Sequence, residues 1–228
     1  MGSGMTARRD ITRLALGAAL FLVPLVPRAA AARSDSALAS YRDFARTPAA
    51  TRLLALARAA MESHWSAAAA DTSSVPDWPG APPSQLYLSL VAGRATRACI
   101  GRPPAGPLAA CVRALAAEAL VADPRHPPVR RDELARLRIV IAFAGEGEEI
   151  ADPMSVNPAR EGLLIRSGGR SVAFLPGEAR TVAWALRAAR RAGLLAAGTP
   201  AEYVRFPVVV ISESPSARER GEASHEDE

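Results

Sequence analysis

Cys99, in the stretch TRACIG at residues 96–101, is the residue of this chain with the plainest chemical use. A thiol reacts as its thiolate, and a cation held nearby lowers its pKa by stabilising that anion. Arg97 stands two positions earlier. Residues two apart on a strand point the same way, so the spacing predicts a guanidinium beside the sulfur. Ala98 and Gly101 are small and leave room for a substrate. Gly101, directly before Arg102 and Pro103, is expected to allow either a positive φ or a close backbone approach. Two other readings of Cys99 stay open. It suits burial as a small hydrophobe, and a bridge to Cys111 is allowed because two cysteines in an exported chain are an even count; geometry decides whether they meet.

A second group lies in DPRHPPV, residues 123–129. Asp123, Arg125 and His126 would supply a carboxylate, an anion clamp and a base on a loop whose prolines restrict the backbone. The same residues also have plainer uses. Asp123 and Arg125 suit a local salt bridge that caps adjoining helices, and His126 suits packing. Glu161, just before the apolar run GLLI, is a candidate general acid or base, although a solvated strand-end carboxylate is the commoner case.

Several chemistries have no sequence support. No dinucleotide-binding fingerprint, phosphate-cradling glycine loop, GxSxG elbow or CxxC pair occurs. His64, His126 and His225 fall in separate segments, which leaves no metal-ligand spacing. The sequence names no cofactor.

The elements that must position these residues follow from periodicity. Apolar residues at three- and four-residue spacing predict a helix from Ser36 to about Ala70, with His64 on its inner face. DTSSVPDWPGAPPS, residues 71–84, breaks it as a loop. In QLYLSLVA, residues 85–92, leucines alternate with polar residues, the pattern of a strand with one buried face, and a turn at 92–94 returns the chain through TRACIG. Leu108, Cys111, Val112 and Leu115 form a helical stripe that claims Cys111 for the core. Further strands are expected at 137–143, 162–167 and 170–176, the last two joined at Gly168-Gly169, then a helix over 178–195, a capping-box turn at Thr199–Glu202 and a closing strand from Phe206. Strands interleaved with helices and hairpins indicate an α+β fold with a mostly antiparallel or mixed sheet flanked by helices.

At the N-terminus, Arg8 and Arg9, the apolar run Leu14–Val26 and the alanine-rich stretch after Arg28 read as an export signal over residues 1–32, of twin-arginine type, which would place the protein in the periplasm or outside the cell. The run is short for a membrane span, so no stable span remains after cleavage; an uncleaved amphipathic anchor is the alternative. The formal charge is +5, carried on the basic side by arginine alone. Removing the leader takes away Arg8, Arg9, Arg13 and Arg28 against Asp10, so most of the basic excess leaves with it, which argues against nucleic acid as a partner. Residues 214–228 are charged, lack an apolar anchor and read as a disordered tail.

The blocks QLYLSLVAGRATRACIG, DPRHPPV and GLLIRSGGRSVAFLP, followed by AGLL and YVRFPVVVISE, resemble in order and spacing those of the AMMECR family. The resemblance covers about residues 50–213, within a domain set at 36–213. It departs at Thr96, Ala98 and His126, where relatives carry leucine, glycine and an aromatic, and at FLPGEA in place of LLPQVA. It implies a larger and a smaller lobe with a cleft between them, faced by the cysteine block, and a pathway shared with Memo-like and radical SAM proteins. On this reading the chain is a small exported enzyme with Cys99 as nucleophile, Arg97 as stabiliser and Arg125 or Glu161 in support, acting on a small or modified anionic substrate. The alternative is a non-catalytic module that captures a small-molecule or peptide ligand, with Cys99 packed in the core.

Overall fold

The computed structural model describes residues 38–66, 77–93, 95–123, 125–195 and 198–214. The segment read as an export signal, residues 71–76 of the expected first loop and the expected tail from 215 lie outside the described residues.

The chain opens with α1 (Ala39–Phe44) and α2 (Pro48–Glu62). The single helix expected from Ser36 is thus two, because Thr47 is extended and Pro48 opens α2, where its missing N–H costs no hydrogen bond. A short 3₁₀ turn follows at Ser63–Trp65, and His64 is exposed there with its ring edge-on to Trp65.

The hairpin of β1 (Gln85–Ala92) and β2 (Ala95–Arg102) comes next, turning at Gly93 with φ 55°. Then come α3 (Leu108–Val121), the single turn α4 (Arg131–Leu134) and β3 (Arg138–Ala144). The short β4 (Glu148–Ile150) precedes the hairpin of β5 (Glu161–Ser167) and β6 (Arg170–Phe174), joined through Gly168 and Gly169 with φ 57° and 74°. Helix α5 (Val182–Arg191) and β7 (Ala201–Ser212) complete the chain.

All pairings are antiparallel, in one curled sheet of order β2-β1-β3-β7-β5-β6, with β4 also on β7. The capping-box turn expected at Thr199–Glu202 is not formed. Ala201 and Glu202 pair with Ser167 and Arg166, so ladder hydrogen bonds outweigh the local capping preference. Strand β7 is therefore longer than expected and belongs to both halves of the sheet: Ala201–Pro207 pair with β5, and Val208–Ser212 with β3. Pro207, which has no N–H to give a ladder, sits at the changeover.

One core lies between α1–α3 and the sheet, built on Leu86, Leu88, Leu90, Ile139 and Ile141. A smaller one lies under α5, built on Leu163, Ile165 and Phe174. Strand alternation sends the intervening residues to the opposite face, where Tyr87, Cys99, Leu164 and Phe206 gather. A cleft of about 730 Å³ opens on that face, spanning the sheet from β2 to β6.

Candidate functional site

Cys99 is half-buried on the cleft wall, and Cys111 is buried under α3 with its thiol directed at the carbonyls of Ala105 and Gly106, 3.5 and 3.7 Å away. The two belong to packing clusters on opposite faces of the sheet, and both are free thiols. The disulfide reading is thereby overturned, as is burial of Cys99 in the main core.

Arg97 does not share the face of Cys99. The β1–β2 register runs Leu90↔Ala98 and then Val91↔Thr96, which leaves Arg97 as the extra residue of a bulge and breaks the two-residue alternation at that point. Its guanidinium pairs instead with Glu133 at 3.0 Å and donates to the carbonyls of Pro127 and Pro128, at 3.1 and 3.3 Å, tying the proline loop to the hairpin.

The cation near the thiol is Arg125. Asp123 holds it through two side-chain hydrogen bonds, from Nε at 3.0 Å and Nη2 at 2.7 Å, and through its backbone N–H at 2.9 Å. The same carboxylate accepts the Cys99 N–H at 2.8 Å, so it anchors the strand at the cysteine itself and caps no helix. Burial alone would push the Asp123 carboxyl up, but the hydrogen bonds from Arg125 and Cys99 prevail and hold it below the usual carboxylate range.

The residue that the sequence reading missed is Glu178, in the turn after β6. Its carboxyl accepts from Thr96 Oγ1 at 3.0 Å and from the Leu175 N–H at 2.8 Å. That contact joins the two edges of the curled sheet beside Cys99. Burial raises the Glu178 carboxyl above its ordinary pKa. The thiol is pushed up to about 12, first by burial and then by the negative charge of Glu178, with Arg125 acting in the opposite sense. Ser89, directly opposite Cys99 in the register and fully buried, carries a hydroxyl without a close partner of its own that lies near both groups.

Gly101 takes the second of its expected roles. Its φ is not in the left-handed region, and a Cβ there would lie 2.1 Å from Tyr87 Cδ1. Tyr87 is its direct cross-strand partner and lies over it. The arrangement recurs across the sheet at Phe206 and its partner Gly162, where a Cβ would meet the ring at 2.2 Å. The two rings are nearly parallel, 6.1 Å apart with planes at 16°, and both line the cleft.

The remaining candidates lie elsewhere. His126 is exposed and lines no part of the cleft, so it is not packed as expected. Glu161 accepts the Asn157 N–H at 2.8 Å and sits 3.7 Å from Arg205, away from Cys99 and outside the cleft lining. Among the described residues no group of three His, Cys, Asp or Glu is placed to hold a metal ion, and no helix is long and apolar enough to cross a membrane.

An α+β domain, one curled antiparallel sheet flanked by helices, with a cysteine and the buried Asp123 carboxylate on a ligand-sized cleft is thus defined. The chain matches the AMMECR1 family over residues 54–210 and belongs to it. It is similar to a protein of Thermococcus gammatolerans, 38% identical over 88 residues, 36% of this chain and 43% of that one. A protein of Methanosarcina barkeri is 31% identical over 97 residues, 40% of this chain and 48% of that one. The matched stretch thus spans less than half the length of these curated relatives. Among solved structures, the uncharacterized protein PH0010 from Pyrococcus horikoshii shares the fold with a TM-score of 0.56 at 24% identity, covering 74% of this chain and 93% of that one.

Proposed function

We propose that this AMMECR1-family domain is a small enzyme that uses Cys99 as nucleophile and Glu178 as its general base, with Arg125 as the nearby cation, on a small or modified anionic substrate. A thiol with a pKa of about 12 holds almost no thiolate at neutral pH. It reacts there only if its proton leaves as the new bond forms. A carboxylate whose pKa burial has raised is a stronger base than an ordinary one, and this one is fixed by Thr96 and Leu175 within electrostatic reach of the thiol.

The step balances as follows. The sulfur forms an S–C bond to an electrophilic carbon while the thiol proton passes to the Glu178 carboxylate. The leaving group then departs from that carbon and takes the proton back, which restores the carboxylate. Arg125, fixed by Asp123, offsets the negative charge that gathers at the sulfur.

The observation that carries this reading is the Glu178 carboxyl, held by Thr96 on the same strand as Cys99 and close enough for its charge to act on the thiol at the cleft wall. Its test is intact-mass detection of a Cys99 acyl adduct with 4-nitrophenyl acetate at neutral pH. Formation in wild type and loss in Cys99→Ser and Glu178→Gln are expected; no adduct on Cys99 removes the nucleophile.

The high thiol pKa favours a second reading, a non-catalytic binding cleft in which Cys99 is a neutral wall. Absence of any adduct together with retained ligand binding would select it. Arg8 and Arg9, the apolar run Leu14–Val26 and the alanine stretch after Arg28 support the reading of an exported protein, and the family resemblance supports partners of the Memo-like and radical SAM kinds.

A further inference from the structure

The cleft face carries more than the cysteine and its base. On β5 Leu164 and Arg166 line the cleft, and Gly162, two residues earlier on the same face, lies under the Phe206 ring. On β1 and β2 they include Tyr87 and Gly101. In two strand pairs, β1–β2 and β5–β7, a glycine stands opposite an aromatic residue, Gly101 to Tyr87 and Gly162 to Phe206, and each ring occupies the space a Cβ would take. The glycines let the rings lie down on the sheet, so they pave the cleft instead of filling it. Phe206 is almost fully buried and supports the surface, while Tyr87 is only half-buried and presents it.

Two arginines on the β5–β6 side complete the surroundings. Arg170 donates to the carbonyls of Ala192 and Gly193 at 3.1 and 3.2 Å and has no acidic partner among the described residues. Arg166 reaches Glu202 only at 3.9 Å, without a hydrogen bond. Both line the cleft, and both retain donors that an oxyanion would accept. Arg125 differs, since Asp123 already occupies its fork. Tyr87 lies within electrostatic reach of Cys99, Glu178 and Arg166, so it stands between the proposed nucleophile and base and one of these arginines.

We infer that the cleft takes a molecule joining a flat aromatic ring to an anionic group, with the ring on Tyr87 and the anion on Arg166 and Arg170. A ring laid against an aromatic face gains from stacking beyond its buried area. An oxyanion met by guanidinium donors gains charge-assisted hydrogen bonds. A cavity of about 730 Å³ has room for both parts at once. The inference rests on the cleft being the working site proposed above, and it specifies the class of its ligand.

The test uses the full chain carrying Cys99→Ser, so that binding is read without covalent chemistry. Calorimetric titration with phenyl phosphate, inorganic phosphate and phenol should give an affinity for phenyl phosphate at least about tenfold above either part. Tyr87→Leu should bring phenyl phosphate down to the level of inorganic phosphate, and Arg166→Gln with Arg170→Gln down to that of phenol. Because Tyr87→Leu also removes packing on Gly101, nuclear Overhauser contacts from the ring protons of the bound probe to Tyr87 are measured in the chain with Tyr87 unchanged.

Equal affinity for phenyl phosphate and inorganic phosphate, or the absence of contacts to Tyr87, would overturn the inference. Its failure is separable from that of the cysteine reading. A Cys99 that never acylates leaves phenyl phosphate binding intact, and a cleft that ignores phenyl phosphate leaves Cys99 acylation intact.

Discussion

Thr96 Oγ1 on β2 donates to the Glu178 carboxyl at 3.0 Å, across 82 residues of sequence, and so ties one edge of the curled sheet to the turn that follows the other edge. The carboxyl that makes this tie is the one proposed as the base for the Cys99 thiol. The closure of the sheet and the chemistry proposed for its cleft depend on the same side chain.

Burial of that carboxyl makes stability depend on pH in a definite sense. The folded-state pKa of Glu178 is raised from 4.5, so the stability it contributes is fully present below that value and is lost as the pH rises through the folded pKa. Glu178→Gln removes the ionisation. Relative to wild type, the variant should gain stability as the pH is raised from the ordinary carboxylate range toward neutrality, as read from urea midpoints. A constant difference between the two proteins would show that Glu178 titrates normally.

Asp123 works in the opposite direction. Its pKa is held below the ordinary 3.8, so its contribution is present above that value and is lost as the pH falls through the folded pKa. Asp123→Asn should cost about 2 kcal/mol at neutral pH, the scale of hydrogen bonds to a charged group, moderated because the Arg125 side chain is 35% open to solvent. The gap to wild type should narrow in acid. A gap that persists at the lowest pH would place the effect elsewhere.

At Gly101 the expected effect is steric. Gly101→Val places atoms where the Tyr87 ring lies and should destabilise the fold by about 1–3 kcal/mol, the usual scale of overpacking. Trimming the ring with Tyr87→Ala should recover part of that loss in a double-mutant cycle. Additive losses would mean that the two residues do not meet.

For Arg97 the structure reverses what spacing suggests. Arg97→Ala should leave the pH dependence of Cys99 alkylation unchanged, because the bulge turns its guanidinium to Glu133 and the proline-loop carbonyls. It should instead lower the melting temperature modestly, since the half-buried Glu133 and the two proline carbonyls lose their donor. A shift of the alkylation curve to higher pH would restore Arg97 to the thiol.

What was legible in the sequence was whatever rests on local pattern. The β1–β2 hairpin and the Gly168-Gly169 turn follow from alternation and turn chemistry, and the place of Cys111 follows from helical spacing. The cleft face of Cys99 was legible only through the family resemblance. The errors arise where long-range pairing decides. A bulge at Arg97 leaves no local mark, so alternation carried the arginine to the wrong face. Thr199–Glu202 has the letters of a helix cap, yet its second half is drawn into a strand by β5. Glu178 makes its decisive contact with a residue far back in the chain. Its one local signal was an acid placed in the proline-glycine turn of FLPGEA, where relatives read LLPQVA.

The most direct measurement compares two reactions of Cys99 in wild type and in Glu178→Gln: alkylation by iodoacetamide across alkaline pH, and acylation by 4-nitrophenyl acetate at neutral pH. Removing the negative charge beside the thiol lowers its pKa from about 12, so the alkylation curve should move to lower pH. Removing the base should slow acylation at neutral pH by roughly a hundredfold, the lower end of what general-base assistance supplies. Opposite changes in the two rates are what the account predicts. Both reactions speeding up together would contradict it, because Glu178 would then only suppress the thiolate and take no proton from it.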